Sequence, residues 1–117
     1  MKYMLILTSN PTDEPTPGSK AFGPYMQEWF AYSAALNEAG AMVTGEALQG
    51  TETATTVQMR NGERIVTDGP FIESKEVIDG FYVIDVANLD EALGWAAKVP
   101  NATFGTVEVR PVIQFDD

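Results

Sequence analysis

The sequence predicts an α+β fold, and three observations carry the prediction. Tyr3-Met4-Leu5-Ile6-Leu7 is an unbroken apolar run, two later segments repeat apolar residues at three- and four-residue spacing, and Asn61-Gly62 separates two strand-like stretches. At 117 residues and 44% hydrophobic composition the chain can bury roughly two-thirds of its unfolded surface around one core, so a single domain over 1–117 is expected.

Tyr3 to Leu7 is apolar on successive residues, the pattern of a short strand covered on both faces. From Thr8 to Gly23 the chain carries Pro11, Pro15 and Pro17 with Asp13, Glu14 and Gly18, and reads as loop. Pro24 suits the first turn of a helix, and Phe22, Met26, Trp29, Ser33 and Leu36 follow at helical spacing until Gly40 offers a left-handed stop. Tyr25, Trp29, Tyr32 and Leu36 form a second stripe beside the first, and both read as core. Ala41 to Leu48 is the second strand. Ala54–Arg60 and Glu63–Thr67 flank the Asn61-Gly62 turn as a hairpin. Its two-residue loop pairs Arg60 with Glu63, Val57 with Val66 and Thr55 with Asp68, which sets Asp68 beside apolar neighbours on the face of Val57, Met59 and Val66. Asp68-Gly69-Pro70-Phe71 is a turn, Ile72 to Ile78 a charged connection, and Gly80 to Val86 a strand apolar on both faces except at Asp85. Asn88-Leu89-Asp90-Glu91 caps a second helix that ends at Pro100, and Thr106 to Phe115 is the last strand.

The order is βαββαβ with a β-hairpin inserted in its middle, a ferredoxin-like arrangement whose crossover helices lie on one side of the sheet. Two strands are nevertheless apolar on both faces, so the bare side needs a cover, and a second copy is the simplest one. Two sheets meeting face to face make a homodimeric α+β barrel with a cavity at each end.

Seventeen acidic residues against seven basic ones give a net charge of −10, which argues against a phosphate backbone as partner and suits a basic protein partner. With no Cys there is no disulfide, thiolate nucleophile or Cys-ligated metal. With no His there is no imidazole base or Ser–His relay. Catalysis is left to carboxylates, Lys, Arg, Tyr, Ser/Thr or backbone amides. The N-terminal apolar run is too short to span a bilayer and lacks a cationic lead, so a soluble, cytoplasmic protein is expected, without cofactor or metal.

At Gly45-Glu46-Ala47-Leu48, at Asp68-Gly69-Pro70-Phe71-Ile72-Glu73-Ser74-Lys75-Glu76, at Asp79-Gly80-Phe81-Tyr82 and at Val107-Glu108-Val109-Arg110-Pro111 the sequence resembles the YCII-related (DGPF-domain) family over nearly its whole length. The resemblance implies a dimeric ferredoxin-like α+β barrel. It implies no settled reaction: members are described as small enzymes, and some are linked by gene context to alternative sigma factors. A His–Asp acid–base pair proposed for the wider group does not transfer to a chain without His. Ile72 and Ser74 stand where the family usually has Ala and Thr.

Among single residues, Asp68 is the foremost acid–base candidate, since a carboxylate among apolar groups at a strand end can have its pKa raised toward neutrality. Asp before Gly-Pro is also ordinary turn chemistry, the weightier of the two readings. Glu46 could point at the same barrel mouth, so that two close carboxylates would serve as acid and base. Gly69 would allow close approach of a ligand. Phe71, Ser74 and Lys75 belong to the turn and the lid-like segment after it, with Glu73 and Glu76, where Lys75 could bind an anion and Ser74 donate a hydrogen bond. Tyr82 could line a site for a flat ligand, and Arg110 could bind a carboxylate or pair within its own strand. These residues point to a small-molecule site with cofactor-free, lyase- or isomerase-like proton transfer, against the alternative of a ligand-binding or protein-interaction module without chemistry.

Overall fold

The structure, a computed structural model, describes residues 1–71 and 74–115. Strand β1 (Lys2–Ser9) leads through a proline-rich loop to α1 (Phe22–Glu38) and β2 (Met42–Ala47). Strands β3 (Thr55–Arg60) and β4 (Glu63–Asp68) follow, then β5 (Val77–Asp85), α2 (Leu89–Ala97) and β6 (Thr106–Pro111). The main sheet has the order β2-β5-β1-β6 with every neighbouring pair antiparallel, the ferredoxin-like order, while β3 and β4 form a separate two-stranded sheet.

Both helices pack on one face. Tyr3, Leu5 and Leu7 of β1 and Tyr82 and Ile84 of β5 alternate inward and meet Tyr32 and Leu36 of α1 and Ala92 and Ala96 of α2 in one buried cluster. The residues between them, Met4 and Ile6 on β1 and Phe81 and Val83 on β5, form the opposite face and are only partly covered. The strand pattern of two apolar faces is therefore present, with one face open within a single chain.

Several expectations change in detail. Of the two stripes read on α1, only Tyr32 and Leu36 are buried, so the C-terminal half of the helix faces the core, while Phe22, Tyr25, Met26 and Trp29 are partly exposed and line a cavity. Strand β1 runs two residues beyond Leu7, so Thr8 and Ser9 are strand and not loop. The last strand stops at Pro111, and 112–115 are irregular. Gly40 is left-handed at φ 69° and closes α1. Asn88 caps α2 by accepting the Glu91 N–H at 3.0 Å, and the Glu91 carboxylate accepts the Ala87 N–H at 3.0 Å.

The hairpin has the register its turn demands. Asn61 and Gly62 take φ of 51° and 78°, and the pairs Arg60–Glu63, Val57–Val66 and Thr55–Asp68 form. Gly69, at φ +100°, donates its N–H to the Ala54 carbonyl at 2.8 Å, and its own carbonyl accepts the Thr56 hydroxyl at 2.6 Å. The DGPF turn is thus the clasp at the hairpin's base, where glycine is the residue that tolerates the backbone. The arm stands off from the body: the radius of gyration is 16.4 Å, against about 13 Å for a compact chain of this length. Val57, Met59, Ile65 and Val66 on it are all exposed.

Gly45 of β2 lies opposite Tyr82. A Cβ there would come within 2.6 Å of the Tyr82 ring, which is held edge-on to Tyr32 at 5.3 Å and bonded to the Ser33 hydroxyl at 2.9 Å. Gly45→Ala is expected to lower unfolding free energy in urea by roughly 1–3 kcal/mol, as overpacking does.

Candidate active site

The site begins with an irregularity in the β1–β5 ladder. Leu7 pairs with Gly80 but Thr8 pairs with Ile78, so Asp79 is an extra residue on β5. Strict alternation would put Asp79 on the Phe81 face. The bulge re-aims it to the helix side. There its carboxylate meets the hydroxyl of Ser9, a residue with 0% exposure. The Glu14 carboxylate, from the loop that opens after β1, meets the same hydroxyl.

A serine hydroxyl has one hydrogen and can satisfy one carboxylate as donor. The two carboxyl groups compete for it, and a proton taken up by Asp79 relieves their repulsion. Burial foremost pushes the Asp79 pKa up to about 7, the hydrogen bond donated by Ser9 opposes the shift, and the hydrogen bond and negative charge of Glu14 add to it. Ser9, Glu14 and Asp79 therefore hold an acid that exchanges its proton near neutral pH.

This cluster opens into a cavity of about 370 Å³ beneath α1. Leu7, Gly80 and Tyr82 line it from the sheet, Phe22, Tyr25, Met26 and Trp29 from the helix, Pro15 and Pro17 from the loop, and Glu46, Ala47 and Leu48 from β2 and its end. Tyr25 and Trp29 meet edge to face with centroids 6.0 Å apart, and burial foremost pushes the Tyr25 phenol up. None of the seven Lys and Arg residues lines the cavity. Among the described residues no three acidic side chains gather as metal ligands would.

The residues singled out from sequence are spread over two places. Glu46 and Tyr82 line the cavity beneath α1, Tyr82 as a buried wall residue and Glu46 as an exposed one. Phe71 and Ser74 line a second cavity of about 660 Å³, between the 48–54 link and residues 74–78. Leu48 borders both. Asp68 lines neither. It is exposed on β4, so the apolar surroundings expected for it are absent within one chain because the hairpin stands away from the core. Gly69 belongs to the clasp, Lys75 is exposed, and Arg110 pairs with Glu108 at 2.7 Å across a solvated face. Ile72 and Glu73 lie outside the described residues. Sequence reasoning passed over Ser9 and Glu14, which it placed in a loop without a role, and named Asp79 in the Asp79-Gly80-Phe81-Tyr82 segment without a chemical role. The available signal was an ionisable residue beside Gly80 in an otherwise apolar strand.

The proton on Asp79 has a thermodynamic consequence. In the unfolded chain this carboxyl ionises near 3.8, and in the folded protein only near 7, so folding takes up a proton between these values and stability falls as pH rises through that window. Thermal melts are expected to show Asp79→Asn raising Tm at pH 8 by a few degrees and changing it little at pH 4, so that the variant's stability varies less with pH than the native protein's.

The fold and the sequence both have relatives. The chain superposes on 5-chloro-2-hydroxyhydroquinone dehydrochlorinase from Burkholderia phenoliruptrix AC1100, in complex with 2,5-dihydroxybenzoquinone, with a TM-score of 0.53 over 98% of this chain and 96% of that one. Identity is 13%, so the likeness concerns the fold. An uncharacterized protein of Rhizobium meliloti (strain 1021) is 48% identical over 77 residues, which cover 64% of this chain and 62% of that protein's length. The YCII-related domain matches residues 1–116, and the chain belongs to that family.

Proposed function

We propose that the protein is a small-molecule enzyme whose site is the cavity beneath α1, with Asp79 as a cofactor-free acid–base group for a flat organic ligand. The observation that carries this reading is the Ser9–Glu14–Asp79 cluster at the wall of an aromatic cavity: a proton poised for transfer beside a space that a ring would fill. Ser9 holds the two carboxyl groups together and orients them. Glu46 borders the same space from the end of β2, paired with Phe81, and stands as the further acid–base candidate at its rim. Lyase- or isomerase-like chemistry needs this equipment alone, an acid and a base on either side of a proton that moves.

The working unit in this proposal is a homodimer. Met4, Ile6, Phe81 and Val83 form an apolar face that one chain leaves partly open, and the hairpin exposes apolar side chains on both of its faces. A two-stranded hairpin is marginal alone, and a second copy of the same face and arm would cover both surfaces. Asp68, Gly69, Phe71, Ser74, Lys75 and Arg110 then have a part only where the hairpin, its clasp and the open face meet that copy. A cytoplasmic setting fits a chain without Cys, and no helix among the described residues is long and apolar enough to cross a membrane.

Two measurements test the reading. In a thermal-shift screen of small planar aromatics, dihydroxybenzoquinone included, a ligand at a hundred times its Kd stabilises by about 2.7 kcal/mol. The shift is expected to shrink in Asp79→Asn and Glu14→Gln and to persist in Asp68→Asn, and the reverse pattern moves the site to the DGPF turn. In sedimentation velocity the native protein is expected as a dimer and Ile6→Glu as a monomer, whereas a native monomer removes the barrel. A screen without any shift favours a protein-interaction module.

A further inference from the structure

The cavity beneath α1 has a lining whose charge is of one sign. The carboxyl groups at its inner end are Glu14 and Asp79, with Glu46 at its border, it contains no Lys or Arg, and the rest of its wall is aromatic or aliphatic, with the rings of Phe22, Tyr25 and Trp29 along the helix side. An anionic ligand would have to give up water and meet only carboxylates and the negative faces of rings. A neutral ligand would find hydrophobic surface and one acid. A cation would gain from both components at once, since an ammonium group is attracted by the face of Trp or Tyr and by a carboxylate, and in a partly dry cavity each attraction is stronger than in water.

We infer that this cavity selects an organic cation, an ammonium group carried on an apolar or aromatic body, with the body against the α1 rings and the charge at the Glu14–Asp79 end. The inference rests on the site proposed above and names its ligand class. It also assigns the proton. Asp79 is faced by Ser9 from β1, Glu14 from the loop and Tyr25 from α1, and no cation among them offsets its charge. An incoming ammonium is that missing cation. Its arrival favours the ionised carboxylate, so binding expels the proton that Asp79 holds beside Glu14 and Ser9. Affinity then increases with pH while the free protein still carries the proton, and levels off once the proton is gone.

The test uses three probes of one shape and different charge, 2-phenylethylammonium, 2-phenylethanol and phenylacetate, titrated calorimetrically into the full-length protein at pH 5.5, 6.5 and 8 and in two buffers of different ionisation enthalpy. The ammonium is expected to bind at least about tenfold more tightly than the alcohol at pH 8 and phenylacetate weakest, an ordering worth about 1.4 kcal/mol per tenfold step. Its affinity is expected to fall by up to about tenfold per pH unit below 7, with release of up to one proton per ligand at the lower pH values. Asp79→Asn is expected to flatten the pH profile and abolish the proton release, and Glu14→Gln, as a second variant, to move the profile to lower pH, while the far-UV spectrum stays native in both. If the alcohol or phenylacetate binds as tightly as the ammonium, the cation inference is overturned and the cavity stands as a ligand site. If none of the three binds at millimolar concentration, the cavity itself is not a site for such molecules and both readings fall. An ammonium that binds without proton release also overturns the inference.

Discussion

The pairing of β1 with β5 is the constraint on which the rest of the molecule depends. β1 lies inside the sheet with β5 on one side and β6 on the other, and its odd-numbered residues, from Tyr3 to Ser9, supply one wall of the core. The ladder keeps perfect register from Lys2 to Leu7 and then slips by one residue. Above the slip the pair builds a ferredoxin-like sheet. At the slip it builds the acid cluster. Regular alternation would have left Asp79 on the open face with Phe81, and Ser9 would have been a buried hydroxyl facing Glu14 alone.

Burial and hydrogen bonding pull in opposite directions at this cluster, and the balance gives it its character. The Ser9 hydroxyl favours an ionised Asp79, whereas partial burial and the neighbouring Glu14 favour a neutral one, and the latter prevail. Tyr82 and Gly45 frame the same region from the sheet: the absence of a side chain at Gly45 gives the Tyr82 ring its place, and that ring then bonds Ser33 and leans on Tyr32. The GEAL and DGPF segments thus hold their glycines for different reasons, close approach of an aromatic ring in one and a left-handed turn at the base of a hairpin in the other.

Much of the fold was legible because its signals are local. Asn61-Gly62 admits one tight turn, so the hairpin register followed residue by residue, and the capping side chains of Asn88 and Glu91 announced α2. The buried stripe of α1 was ambiguous because aromatic residues occupy two adjacent faces, and only the position of the sheet selects Tyr32 over Met26. The site was the least legible part. A bulge arises from how two strands meet and leaves no mark in the alternation of β5 itself, and the strand read from the sequence began only at Gly80, after Asp79. Ser9 and Glu14 lie at the junction of a strand and a proline-rich loop, where periodicity has already faded. Asp68 was conspicuous because its motif is conspicuous, and its exposure follows from an arm that leaves the core.

The central position of β1 also governs how the chain can assemble in time. Its partners on both sides, residues 77–85 and 106–111, come some seventy and a hundred residues later, so the middle of the sheet cannot close until most of the polypeptide exists. Topologies of this kind fold slowly, and their early strands wait unpaired. Here the waiting strand is the apolar run Met4-Leu5-Ile6-Leu7, while the local hairpin at Asn61-Gly62 can form much sooner. The nascent protein can therefore close the hairpin turn before it has a core, and the interval before β5 emerges is when β1 depends most on being shielded from other chains.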